Sequence, residues 1–322
     1  MKYRILGRTE MRVSEIGYGA WGIGGNLWQG SNDHESIRAL HRAIDCGLTF
    51  IDTALVYGDG HSERLINNVL EERREKITVA TKIPPKNMRW PAKKGSSLSE
   101  VFPYTHIIEC TEMSLKNLGV EQIELQQFHV WDDEWTEESE WSDAISHLKE
   151  QGKIRSFGVS INDYEPHNAL KLCHSGKLDT VQVIYNIFDQ SPEKELFPLC
   201  MEKNIGVIVR VPLDEGGLTG TITIDTTFPE GDFRNRYFRD DRKEQLVEHT
   251  DRLKLLLGDE SSSLAELALR FCLNHAAVST VIPGMRTIKN VEANIKVSDG
   301  QKLGESMIWN LKEHQWIRNF YH

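Results

Sequence analysis

Hydrophobic and polar positions along the chain alternate between two periods. Short runs of β-branched and aliphatic residues give way to stretches whose apolar residues recur every three to four positions. The short runs at 16–18, 49–52, 78–82, 123–129, 154–160, 180–185, 206–211 and 278–283 predict eight strands. Helices are predicted between them at about 33–46, 61–73, 105–118, 137–151, 163–175, 193–204, 264–275 and 288–296. Within 137–151, Trp141, Ala144, Ile145 and Leu148 mark one apolar face among acids and lysines. Ser263, ahead of Leu264-Ala265-Glu266, predicts a capped helix start with an acid in its first turn. Before all of these, residues 3–6 and 13–16 flank Gly7-Arg8-Thr9 as a small hairpin.

Eight strands alternating with eight helices predict an α/β chain in the form of a (β/α)8 TIM barrel, one domain over residues 1–322. A doubly wound sheet would carry a G-x-G-x-x-G turn opening a helix, and the Gly17–Gly25 stretch leads into no helical pattern. Three segments exceed the barrel's needs. They are a loop at 83–104, a Gly- and Thr-rich stretch at 212–262 with a charged helix at about 241–257, and an amphipathic C-terminal helix at 303–319.

Composition narrows the function. The formal charge of −10 gives no general pull toward nucleic acid or anionic membrane. Cys46, Cys110, Cys173, Cys200 and Cys272 form no C-x-x-C pair, which argues against a disulfide framework or a zinc site. Met1 to Ile5 leads straight into strand pattern with no apolar leader, and no run of about 18 apolar residues is present, so a cytoplasmic location is expected.

The predicted strands end in Asp52, Lys82, His129, Ser160, Tyr185-Asn186, Arg210 and Gly284, with Tyr57 in the turn beyond Asp52. Chemistry in such barrels gathers at the carboxyl ends of the strands. An acid, a lysine and a histidine ending three successive strands are costly to bury unless they pair with one another. A tyrosine with a pKa near ~10 exchanges protons poorly at neutral pH, and a lysine cation beside it lowers that value. The aspartate would hold the lysine charged, and the histidine would orient a carbonyl oxygen.

At these residues the chain resembles the aldo-keto reductase superfamily. The matching stretches are FIDTALVYG followed by HSERLINNVL, VATK at 79–82, LQQFHVW at 125–131, GKIRSFGVS at 152–160 and VIPGMRTIKNVEAN at 281–294. The resemblance implies a barrel with an N-terminal hairpin and two extra helices, and carbonyl reduction driven by NADPH or NADH, with NADPH expected ahead of NADH and no metal. Tyr57 would give the proton, Lys82 and Asp52 would tune it, and His129 would orient a small carbonyl substrate. Gly19, Ala20, Trp21 and Asp52 would border the cofactor. Ser160, Asn162 and Gln182 would hold its carboxamide, Arg210 and Val211 would face the nicotinamide, and Pro212, Leu213, Leu218 and Gly220 would cover the pyrophosphate. Gly284, Met285, Arg286, Asn290 and Asn294 would hold the adenosine end, with Arg286 suited to a 2′-phosphate.

Two departures stand out. Ile161 displaces the amide of Asn162 by one residue from the serine it normally follows, and Arg210 stands where an aromatic ring commonly stacks on the nicotinamide. A guanidinium beside an oxidised nicotinamide is repulsive unless it reaches an acid. Trp21, Trp28, Trp90 and Trp131 are expected to wall the substrate pocket together with Tyr57 and His129, with Tyr104 a further candidate and Trp135 expected in loop packing. Lys86, Arg89, Lys93 and Lys94 read as a solvated face, with attraction of a phosphorylated or acidic substrate as the alternative. The alternatives are a nucleotide-binding regulatory subunit without turnover, and a sugar or polyol dehydrogenase working in the oxidative direction.

Overall fold

The computed structural model describes residues 1–25 and 27–321. Strands β1 (Tyr3–Ile5) and β2 (Arg12–Ser14) pair antiparallel as the predicted hairpin. Eight parallel strands follow: β3 (Tyr18–Gly19), β4 (Phe50–Asp52), β5 (Thr78–Ile83), β6 (Ile123–Phe128), β7 (Ile154–Ser160), β8 (Thr180–Ile184), β9 (Gly206–Arg210) and β10 (Val278–Val281). They lie in sequence order across one curled sheet. The first and last strands meet through parallel bridges, Ile16 with Val281 and Gly19 with Gly284, and the Gly17 amide donates to the Val281 carbonyl at 2.8 Å. The fold is a TIM barrel.

Side chains two residues apart on a strand share a face, and this sets the floor and the roof of the interior. Phe50, Ala80, Leu125 and Ile208 form an apolar layer with Ile282, sealed from below by Leu6, Met11 and Val13 of the hairpin. Two residues further along the same strands come Asp52, Lys82, Gln127 and Arg210. The hairpin sits tightly: a Cβ on Gly7 would lie 2.1 Å from the Gly206 nitrogen. Gly158 performs the same service higher up, where a Cβ would come within 3.3 Å of the Gln127 side chain and closer still to Thr180.

Most predicted helices form, and their apolar faces do the packing. Helix Ser139–Glu150 buries Trp141, Ala144, Ile145 and Leu148, and the Ser263 hydroxyl caps Leu264–Asn274 by accepting from the Glu266 amide. Three helices are clearly shorter than predicted, and the one expected over 193–204 runs only from Leu196 to Glu202. The one expected over 163–175 starts only at Leu170, because Tyr164 has a left-handed backbone (φ 62) that no helix continues. The one expected over 303–319 stops at Lys312, and the remaining tail crosses the top of the barrel, with the Trp316 amide donating to the Phe188 carbonyl at 2.9 Å. No helix among the described residues is long and apolar enough to cross a membrane.

Candidate active site

Above the polar layer the barrel opens into a cavity of about 930 Å³, the size of a site for a cofactor and a small guest. Asp52 ends β4 on its floor. The Lys82 ammonium donates to Asp52 Oδ2 at 2.5 Å, to the Thr53 carbonyl at 2.8 Å and to the Tyr57 hydroxyl at 3.4 Å. The other Asp52 oxygen accepts from Gln182 at 2.7 Å and from Gln127 at 3.3 Å. Tyr57 reaches the site because the turn after β4 folds back, with the Tyr57 amide donating to the Ala54 carbonyl at 3.0 Å. His129 lies one residue past β6, its amide continuing the ladder onto the Ile83 carbonyl at 3.0 Å. Its ring stands edge-on to Tyr57 at 5.7 Å and to Trp90 at 5.6 Å.

Electrostatics gives each group a resting state. Burial pulls the Lys82 ammonium toward neutrality, but Asp52 and Tyr57 outweigh it and raise its pKa. Burial lifts the Tyr57 phenol above its usual value, and Lys82 only partly offsets this, so the net direction is opposite to that expected from the lysine alone. Burial, then Lys82 and Arg210, hold His129 well below the usual histidine range. The site therefore rests with the Lys82 ammonium charged and with the Tyr57 phenol and the His129 imidazole neutral.

The same cavity is lined by Gly19, Ala20, Trp21, Ser160, Asn162, Gln182, Arg210, Val211, Pro212, Leu213, Gly284, Arg286 and Asn290, and by Trp28 and Trp90. Leu218, Gly220, Met285 and Asn294 lie behind this wall; Leu218 and Met285 are core residues, and the Asn294 amide braces the Gly284 carbonyl at 3.3 Å. Asn162 touches the cavity, but its amide is occupied. It accepts from the Ala92 amide at 3.1 Å and donates to Glu165 at 3.0 Å, anchoring the loop that carries Trp90. Arg210 reaches an acid: it donates to Asp163 at 2.5 Å and to the Ile161 carbonyl at 2.8 Å.

Trp131 is a correction. It is fully buried against Phe128, Trp135 and Trp141 at ring distances of 5.3–6.2 Å and does not line the cavity. The chain leaves the strand at His129 and bends, which carries Trp131 into the core instead. Tyr104 also lies outside the cavity, against His147, and Trp135 is packed in the core as expected. Lys86, Arg89, Lys93 and Lys94 are all exposed and outside it.

The mouth holds residues that sequence reasoning passed over. Phe233, Arg234, Phe320 and Tyr321 line it. The Phe233 amide donates to the Leu27 carbonyl at 2.8 Å, the Gln29 amide to Asp232 at 3.0 Å, and Arg286 to the Gln29 carbonyl at 2.9 Å. These bonds clasp the first top loop to the long insertion and to the last strand's loop. The turn residues Gly231-Asp232 were the available signal. Gln127 was findable too, two residues before His129 on an alternating strand.

An extended dinucleotide fits these walls. A Cβ on Gly284 would meet nothing within 4 Å and would stand in the cavity, so the bare backbone leaves space there. Arg210 Nε and His129 Nδ1 are buried without hydrogen-bond partners, which makes both ready for a guest. Arg286 and Arg234 lie close enough at the far end for the second to depress the pKa of the first, after burial, a pairing that an anion would relieve.

Known proteins share this architecture. The chain is 31% identical over 298 residues to aldo-keto reductase YhdN of Bacillus subtilis, covering 91% of this chain and 87% of that one. It is 31% identical over 310 residues to the NADH-specific methylglyoxal reductase of Escherichia coli, covering 92% and 93%. The solved glycerol dehydrogenase of Gluconobacter oxydans superposes with a TM-score of 0.79 at 30% identity, over 97% of this chain and 94% of that one. The model described as the aldo/keto reductase family matches residues 15–315, from the end of the hairpin to the C-terminal tail. That span takes in the whole barrel and every strand end that forms the site, and the chain belongs to the aldo/keto reductase family.

Proposed function

We propose that the protein reduces an aldehyde or ketone on a small molecule to an alcohol, using a nicotinamide dinucleotide. The observation that carries this is Lys82, buried and bonded at once to Asp52 at 2.5 Å and to the Tyr57 hydroxyl at 3.4 Å, behind a cavity wall to which Asp52, Tyr57 and His129 contribute. The bound reduced cofactor supplies the hydride. Tyr57, held as a neutral phenol, gives its proton to the carbonyl oxygen, and Lys82 stabilises the phenolate left behind. His129, held neutral, donates a hydrogen bond that orients that oxygen. Trp21 and Trp90 flank the reacting carbonyl and exclude water. Ser160 and Gln182, joined at 3.4 Å, border the carboxamide of the cofactor.

NADPH is proposed ahead of NADH, because Arg286 and Arg234 place two guanidinium groups near one another at the far end of the cavity. Since Asp163 neutralises Arg210, the site does not reject a cationic nicotinamide, and the same machinery supports alcohol oxidation at high pH. The test is Tyr57→Phe assayed with a panel of aldehydes, ketones and sugar derivatives. Turnover should fall by about a thousandfold with reduced-cofactor binding nearly unchanged. Turnover within threefold of the parent enzyme would refute the proposal.

A further inference from the structure

One carboxyl group on the cavity wall has no part in the reaction described above. Glu215 lines the cavity and forms no hydrogen bond or ion pair with any described residue. Its backbone is held in a left-handed bend, with φ 53 at Val211, 48 at Asp214 and 52 at Glu215. Such angles are strained for side-chain-bearing residues and rare for valine. Neighbours hold the bend in place. Asp214 Oδ1 accepts from the Tyr237 hydroxyl at 2.5 Å and from Arg242 at 3.0 Å, and Asn186 donates to the Val211 carbonyl at 2.9 Å.

The charges that face Glu215 come from four directions. Asp214 precedes it in its own loop, Asp163 approaches from the loop after β7, Arg210 from the end of β9, and Arg234 and Tyr237 from the long insertion. Three neighbouring acids are each ion-paired to an arginine: Asp163 to Arg210 at 2.5 Å, Asp232 to Arg234 at 2.8 Å and Asp214 to Arg242 at 3.0 Å. Glu215 has no such partner. It is also within electrostatic reach of residues that act on both ends of the cavity. Arg210 acts on Glu215 and on Tyr57 and His129, whereas Arg234 acts on Glu215 and on Arg286. A dinucleotide stretched from Tyr57 to Arg286 must carry its phosphates past this carboxyl group.

We propose that Glu215 makes dinucleotide binding proton-linked: the phosphates settle only against a protonated Glu215, whose hydroxyl then donates to a phosphate oxygen instead of repelling it. The inference rests on the reductase reading above. The resting protein is prepared for it, since burial, then Asp214 and Asp163, push the Glu215 carboxyl up to about 8 against the pull of Arg210 and Arg234. On the acid side of that value the group carries its proton. Above about pH 8 the proton has to be taken up on binding.

The experiment is fluorescence titration with NADH, which has no 2′-phosphate to titrate, from about pH 6.5 to about pH 9.5. The Kd of the parent enzyme should be flat at the acid end and rise toward tenfold per pH unit at the alkaline end. Glu215→Gln should hold a flat Kd throughout. Glu215→Gly, which keeps the left-handed backbone at ease, should do the same and guards against a folding defect in the first variant. Calorimetry near pH 9 in buffers of different ionisation heat should find about one proton taken up by the parent enzyme and none by either variant. A flat Kd in the parent enzyme, or the same slope in parent and variants, overturns the proposal. Failure of the parent enzyme to bind either NADH or NADPH anywhere in the range overturns the reductase reading itself.

Discussion

Replacing Asp52 by asparagine removes the charge that faces a fully buried ammonium. The side chains of Lys82 and Asp52 are 0% and 4% exposed, so water cannot take over. Breaking one side of a buried pair costs about 3–5 kcal/mol. The Thr53 carbonyl at 2.8 Å and the Tyr57 hydroxyl at 3.4 Å still accept from Lys82, which puts the expected loss near the low end, about 3 kcal/mol. Lys82→Met should lose about as much, because it leaves the Asp52 carboxylate with only the Gln182 and Gln127 amides. The double variant strands neither charge and should lose no more than either single one, a coupling of about 3 kcal/mol. Urea unfolding at pH 7, followed by circular dichroism, measures all three. Losses that add to within about 0.5 kcal/mol would refute the pairing as the feature that holds this floor together.

Trp131→Phe should lose a few kcal/mol of stability, as large-to-small core changes do, with KM for the carbonyl unchanged, whereas Trp90→Ala should raise KM; a matching KM change in Trp131→Phe would return that residue to the pocket wall. Asp163→Asn should weaken the oxidised cofactor about tenfold relative to the reduced one, since Arg210 then meets the nicotinamide cation unpaired; equal effects on both forms would contradict this. Arg286→Ala should weaken NADPH at least tenfold more than NADH, and parallel losses would remove Arg286 from the 2′-phosphate. Folding keeps His129 neutral, so its contribution to stability is full above about pH 6.5 and lost as the pH falls below that value. The stability gap between the parent enzyme and His129→Asn should therefore shrink from pH 7 toward pH 5, and a constant gap would show that His129 is not held neutral.

The strand ends were legible because a buried acid, lysine and histidine have few partners besides one another, and alternation shows which of them face inward. The barrel was legible for a similar reason: the strands keep sequence order, so counting them gives the topology. Legibility failed where the chain leaves regular structure. Trp131 was misassigned because periodicity was carried past the end of β6. The predicted 303–319 helix was overrun because Trp316 continues an apolar pattern that is in fact satisfied by Phe188 and by a stacked His249 at 4.4 Å. The Arg210–Asp163 pair joins residues 47 apart, and Tyr321 reaches Asp163 from 158 residues away. No local pattern announces contacts of that kind. The direction of the Tyr57 shift was misjudged because the desolvation of the cleft, which outweighs Lys82, is a property of the assembled walls.

The hairpin beneath the barrel turns the cavity into a blind well. Leu6, Met11 and Val13 close its lower end against Phe50, Ala80, Leu125 and Ile208, so the top rim is the only route that the described residues leave to Tyr57. Under the proposed function, a dinucleotide and a small carbonyl would share that one doorway. Traffic of this kind is self-limiting. Excess carbonyl would then be expected to slow the exit of the spent cofactor, so that turnover declines with crowding at the rim rather than with any change in the chemistry below it.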